Sequence, residues 1–244
     1  ESHKVGLSAI GPAQPESAEQ AAKIRQAVEF VNEIPTNSPA LKIWHQFDLL
    51  VRPGNGKYFA LPFFELDTLN DKEKFNLNFV DEIIVPCSWA KKVIADAGID
   101  KPTHIVPMGV DRKIFAPTNI QPTDDKYVFL TIGKWEKRKA HDTLLHCFNQ
   151  AFNESDNVEL WMATSNPFLT PEEEKIWLNL VDQSKLREKI KVFPRVPNHE
   201  AVAQLISYSH CGVYISRGEG WNMELLESMS MNKPVIASNY SAHT

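Results

Sequence analysis

Cysteine is scarce in this chain: Cys87, Cys147 and Cys211 are the only three, widely spaced and odd in number. They suggest neither a disulfide framework nor a zinc site, and a reducing, cytoplasmic setting is the simplest expectation. No apolar stretch approaches the ~20 residues of a membrane span, and no signal peptide is visible. Any membrane contact would then be peripheral, yet no strongly basic amphipathic helix is present to make it. Basic runs are absent and the net charge is −5, which argues against a general nucleic-acid partner. No G-x-G-x-x-G follows a strand, which disfavours a nicotinamide oxidoreductase. No repeat and no low-complexity tract breaks the sequence.

What is present is a 244-residue chain, 43% hydrophobic, with enough apolar content for a real core in one large domain or two small ones. Strand and helix patterns alternate along it. A helix is expected over Ser17–Asn32, with Ala21, Ile24, Val28 and Val31 on one face. Strands are expected at Leu41–Trp44 and Tyr58–Phe64, joined through Arg52-Pro53-Gly54-Asn55-Gly56-Lys57. That joint lacks G-x-x-x-x-G-K-[ST] spacing and reads as a plain turn. Further strands are expected at Ile83–Pro86, His104–Pro107, Val128–Ile132, Val158–Ala163 and Ile190–Phe193. Ser88 is a candidate N-cap and Gly98 a helix stop for the helix between the first two of these. Helices are expected at Pro171–Gln183 and around Ala201–Ile206. Such alternation favours two Rossmann-like α/β domains with parallel sheets flanked by helices. The polar, proline-containing stretch Ala116–Asp125 sets the boundary, giving domains 1–118 and 119–244.

Three segments carry chemistry. In the first, RGEGWNMELLESMSMNKPVIAS from Arg217 to Ser238, a buried strand Cys211–Ser216 runs into the Gly218-Glu219-Gly220 turn and a helix from Asn222 to Met231, opened by Asn222. Backbone N–H groups at such a helix start face an anion. Glu219 lies in the turn and Glu227 about two turns along the helix. One carboxylate can then bind sugar hydroxyls and the other a ribose, whereas Glu224 reads as a solvated helix face. The second segment, Tyr127–Leu145, is a buried strand ended by Gly133, followed by Lys134, Trp135, Lys137, Arg138 and Lys139 and a helix carrying Leu144, Leu145 and Phe148. A strand, a glycine and then cations suit a pyrophosphate. The third, Asp81–Phe115, is a strand, helix and strand leading to Gly109-Val110-Asp111 and Phe115.

This order of motifs resembles the retaining glycosyltransferases of the GT-B fold, the large group 1 or GT4 family. The first segment matches their E-x7-E element. The second matches G-R-L-x-x-x-K-G with Lys134 for arginine and Ala140 for the usual glycine, and the third matches N-G-V-D-x-x-x-F with Met108 in the first position. Lysine at 134 keeps the charge but loses the bidentate fork, and Lys137 and Arg138 either compensate or are simply exposed. Against that family the chain looks truncated at both ends, so both domains are expected to be incomplete.

The resemblance implies transfer of a sugar from a nucleoside-diphosphate sugar to an unknown carbohydrate, lipid or protein acceptor, with retention of anomeric configuration. The donor site it implies comprises Gly133, Lys134, Lys139, Arg195, Glu219, Gly220, Trp221, Asn222, Met223 and Glu227. Glu219, Lys139 and Lys134 are the candidate catalytic groups, with Arg195 standing where the family has a base-contacting glycine. Glu65, in Phe63-Phe64-Glu65-Leu66-Asp67, resembles an F-E-x-D variant on the acceptor side, the alternative being a helix-capping cluster with Asp67 or Thr68. His45 ends a strand beside aromatics and is an acceptor-side candidate or a structural residue. No cofactor and no metal are expected, because no D-x-D occurs and lysines can replace a cation's charge. Alternatives left open are a non-catalytic sugar-nucleotide-binding fragment and another GT-B enzyme, an epimerase or phosphorylase.

Overall fold

The structure, a computed structural model, describes residues 4–11, 14–118, 120 and 125–244. It divides into two compact units, Glu1–Pro107 and Met108–Thr244. Each is built on a parallel sheet.

In the first unit, β1 (Ala40–Trp44), β2 (Tyr58–Pro62), β3 (Glu82–Val85) and β4 (Thr103–Ile105) pair in that order, all parallel. Before them runs α1 (Ala18–Phe30), capped by Ser17, whose hydroxyl accepts from Gln20 N–H. Its expected apolar face is at most half-buried. Gly54, at φ +67°, makes the turn between β1 and β2, where Asn55 N–H meets Thr36 O at 2.7 Å, so the glycine-rich stretch is a turn. The helices α2 (Asp71–Phe79) and α3 (Ser88–Asp96) supply the crossovers that parallel strands require. The cap of α2 is Asn70, in a reciprocal box with Glu73, rather than Asp67 or Thr68. Ser88 is likewise the first residue of α3. Its cap position is Cys87, with no side-chain hydrogen bond, and Gly98 at φ +74° follows its end.

The second unit holds β5 (Tyr127–Ile132), α4 (His141–Ala151), β6 (Val158–Ala163), α5 (Pro171–Asp182), β7 (Ile190–Val192), α6 (His199–Tyr208), β8 (Cys211–Tyr214), α7 (Met223–Ser230) and β9 (Val235–Ala237). The sheet order is β7-β6-β5-β8-β9, all parallel. The order reverses between β5 and β8, and such a switch point opens a crevice at the strands' carboxyl ends where α/β folds bind ligands.

Both faces of this sheet are covered. On one, Leu144, Leu145 and Phe148 of α4 and Val181 of α5 pack with Trp135, Leu160, Met162 and Val213. On the other, Leu130 packs with Ala203 and Ile206 of α6, Met231 and Phe115. The Phe115 carbonyl also accepts from Ser230 Oγ at 2.7 Å. Phe115 thus joins the second core, and the compact division falls at Pro107, ahead of the proline-containing stretch. Within that stretch Asn119 and residues 121–124 lie outside the described residues. No described helix is long and apolar enough to cross a membrane. Cys87 and Cys211 are buried, Cys147 is exposed, and all three are free.

Candidate functional site

Two turns leave the carboxyl ends of the strands flanking the switch point. After β5, Gly133 has φ +141°, a conformation side chains rarely adopt. A Cβ added there would meet Lys139 Cε at 3.2 Å and Cδ at 3.3 Å, so the glycine allows the lysine stem to lie across the strand end. Ala140, where the resemblance expects glycine, is left-handed at φ 57° and sits at the N-cap position of α4. His141 follows, buried, with Nε2 at 3.1 Å from both the Gly133 and Lys134 carbonyls. Burial depresses its pKa to about 4 against those two bonds, so the ring is neutral and its proton is on Nε2.

After β8 the chain turns through Ser216 to Gly220, and Glu219 is buried, 3% exposed. Its Oε1 lies 2.9 Å from Lys139 Nζ and accepts from Ser216 Oγ at 2.5 Å, while Oε2 accepts from Arg138 Nη1 at 2.8 Å. Its own N–H donates to Ser241 Oγ at 2.9 Å. Burial by itself would raise this carboxyl. The charges of Lys139 and Arg138 and the Ser216 hydroxyl outweigh it and hold Glu219 below the usual carboxylate range.

Asn222 caps α7, accepting from Leu225 N–H at 2.9 Å through Oδ1. Its Nδ2 donates to His243 Nε2 at 2.9 Å, which places the His243 proton on Nδ1, 2.8 Å from Ser238 Oγ. Ser238 Oγ in turn donates to the Ser216 carbonyl at 2.7 Å. A continuous hydrogen-bonded path therefore joins the start of α7 to the residue that holds Glu219. Burial is the main cause of the depressed His243 pKa, which keeps the ring in the neutral form this path needs. The buried indole N–H of the neighbouring Trp221 has no hydrogen-bond partner among the described residues.

Glu227 lies further along α7 and is buried. It is 5% exposed, and its backbone carbonyl accepts from Met231 N–H at 3.2 Å, while no hydrogen bond to its carboxyl oxygens is seen among the described residues. Burial, reinforced by Glu224 and opposed by His199, raises its pKa to about 7. A group raised in the folded state favours its protonated form. Its stabilising contribution is full below pH ~4.5 and is lost as pH rises through about 7. Glu227→Gln, which mimics the protonated acid, should match wild type in urea unfolding at pH 5 and exceed it at pH 8, by about 2 kcal/mol. Equal stability at both pH values would refute the buried, unpaired carboxyl.

The expected residues are not all brought together. Gly133, Lys139, Glu219, Gly220, Trp221, Asn222, Met223 and Glu227 line the two turns and α7. Lys134 is more open, paired with Glu136 Oε1 at 3.0 Å and lying 5.1 Å over the Phe168 ring, not on Glu219. Arg195, beyond β7, is exposed. In the first unit, His45 is exposed and stacks on Phe47 with 5.1 Å between ring centroids, and Glu65 is half-buried in the loop between β2 and α2. Sequence reasoning underused Arg138 and missed Ser216, Ser241 and His243. Only Arg138 left a trace, in the alternation of Lys134, Glu136 and Arg138.

Cations after β5 and a buried glutamate after β8 meet at the switch point, where open α/β sheets bind ligands. Residues 126–244 match the family model described as glycosyl transferases group 1. That match covers most of the second unit, and the fold of the chain is that of the GT-B glycosyltransferases. An uncharacterized glycosyltransferase of Methanocaldococcus jannaschii is 22% identical over 176 residues, 68% of this chain and 41% of that protein. Among solved structures, sucrose-phosphate synthase from Thermosynechococcus elongatus superposes with TM-score 0.70 at 19% identity, over 95% of this chain and 64% of that one. HepE of Anabaena, solved with UDP-glucose, does so with TM-score 0.63 at 14% identity, over 77% and 55%. The chain thus spans less than two thirds of the length of these relatives.

Proposed function

We propose that this chain moves a sugar from a nucleoside-diphosphate sugar to a carbohydrate, lipid or protein acceptor, with retention and without a divalent metal. The observation that carries the reading is the meeting of Lys139 and Glu219 from the turns after the two strands that flank the switch point, ahead of α7 in the chain. The UDP-glucose held by the Anabaena neighbour gives the class of donor to try first.

In this reading the diphosphate lies against Lys139 and the free N–H groups at the start of α7, which neutralise charge where it develops on the leaving group. Glu219 orients the sugar, and Glu227 takes the two ribose hydroxyls, replacing the hydrogen bonds it lacks in the free protein. The acceptor oxygen bonds to the anomeric carbon on the face that the diphosphate leaves, the carbon–oxygen bond to phosphate breaks, and the acceptor proton passes to the departing phosphate. Lys139 and the N–H groups at the start of α7 stand where a metal's charge would otherwise be needed. Lys134, Arg195, His45 and Glu65 remain proposals at lower rank.

Thermal-shift measurements with UDP, GDP, ADP and their sugar conjugates, without metal, test it, since a ligand that binds the folded state raises the melting temperature. One nucleoside diphosphate should stabilise the protein. Lys139→Ala should weaken that ligand by about 10- to 100-fold in calorimetry, the range for a hydrogen bond to a charged group. Unchanged affinity in the variant removes the clamp. An epimerase would convert the sugar nucleotide with no acceptor, and a phosphorylase would need free phosphate.

A further inference from the structure

We infer that Arg138 is a positioning residue that fixes the Glu219 carboxylate for the donor sugar, by spanning Glu136 and Glu219 and tying together the two turns of the site. The inference rests on the donor-site reading above.

The turns are joined in both directions through this residue. Arg217 N–H donates to the Arg138 carbonyl at 2.8 Å, and Arg138 Nη1 donates to the Gly218 carbonyl at 2.9 Å and to Glu219 Oε2 at 2.8 Å. Arg217 completes the joint, with Nη2 3.0 and 3.1 Å from the Asp142 carboxylate oxygens and 2.9 Å from Thr143 Oγ1. The other end of Arg138, Nη2, reaches Glu136 Oε2 at 3.1 Å. Lys134, Glu136, Arg138, Glu219 and Lys139 therefore form a chain of alternating charge, with Glu136 between Lys134 and Arg138 and Glu219 between Arg138 and Lys139.

The division of work follows from geometry. Lys139 is a compact point charge on a flexible stem and can turn from Glu219 to a phosphate. Arg138 holds a planar fork on two acceptors of one turn, Gly218 O and Glu219 Oε2, and Glu136 offsets its charge. It sets the plane of the carboxylate and leaves the remaining lone pairs of Glu219 for hydroxyl groups. The groups facing Glu219 are Arg138 and Lys139 from the turn after β5, Ser216 from its own turn, and Ser241 and His243 from the end of the chain.

The first test needs no ligand. In protein labelled with 13C at the glutamate carboxyls, with the Glu219 signal assigned from Glu219→Gln, Glu219 titrates below the ordinary range. In Arg138→Ala its midpoint should move up, because one of the two cations that hold it down is gone, and free guanidinium should draw it back. Arg138→Lys, which keeps the charge if the alanine variant does not fold, should restore the midpoint only in part. An unmoved midpoint in either folded variant overturns the inference. Calorimetry with UDP and UDP-glucose supplies the second arm. Arg138→Ala should keep UDP affinity within about threefold while losing most of the difference between UDP-glucose and UDP. Equal loss for both makes Arg138 a phosphate ligand and overturns the positioning role. If wild type binds neither ligand, the UDP-sugar reading fails while the Glu219 titration still decides the role of Arg138.

Discussion

Glu219→Ala is expected to separate donor binding from sugar transfer. In the folded protein this carboxylate, 3% exposed, is the shared partner of Lys139 and Arg138. Its removal leaves two cations facing one another across a cavity, and breaking a pair of this kind costs about 3 kcal/mol, toward the lower end of the usual range because Arg138 retains some contact with water. Urea unfolding should show that loss. A nucleoside diphosphate brings the missing negative charge, so it should stabilise Glu219→Ala by more than it stabilises wild type. Transfer should nonetheless fall at least about 100-fold, because the group that orients the sugar is gone. Weaker binding of the bare nucleoside diphosphate in the variant would contradict this arrangement of charges.

Trp135→Ala should produce the largest loss of stability, about 3–5 kcal/mol. The side chain is 1% exposed, stacks on Trp177 at 5.4 Å between centroids and meets His141 edge-on at 5.0 Å. Its backbone is held as well: the N–H donates to Thr164 O at 2.8 Å, and the carbonyl accepts from Asn166 Nδ2 at 3.0 Å. Trp135 therefore anchors the turn that carries the cations. Chemical unfolding gives the stability. Calorimetry of the same variant under fully folded conditions should show weakened diphosphate binding, because Lys139 loses its fixed approach over Gly133. A drop below about 1 kcal/mol would mean that the site closes over the cavity.

Much of this was legible in the chain. The continuous apolar run Val128–Ile132 gave the central strand of the second sheet, Asn222 gave the helix cap, and Gly133 gave the end of that strand ahead of the cations. These are local signals, settled by side-chain period and backbone preference within a few residues. Where a local choice was nearly balanced the reading slipped: Cys87 rather than Ser88 occupies the cap of α3, and Asn70 with Glu73 capped α2 because that pair satisfies two backbone groups at once.

The sequence by itself thus determined the alternating elements, the family motifs and the pair Glu219 and Glu227. Only tertiary structure decided which cations reach Glu219. Arg138 and Lys139 lie some eighty positions from it and meet it because β8 pairs with β5, an arrangement set by burying both faces of the sheet. Lys134, nearer the strand and equally charged, is drawn to Glu136 and Phe168 instead. The same packing drew Phe115 into the second core and brought His243 onto Asn222. Pattern along a chain records which residues prefer burial or a turn. Which distant charges share one carboxylate is fixed only when strand order closes the space between them.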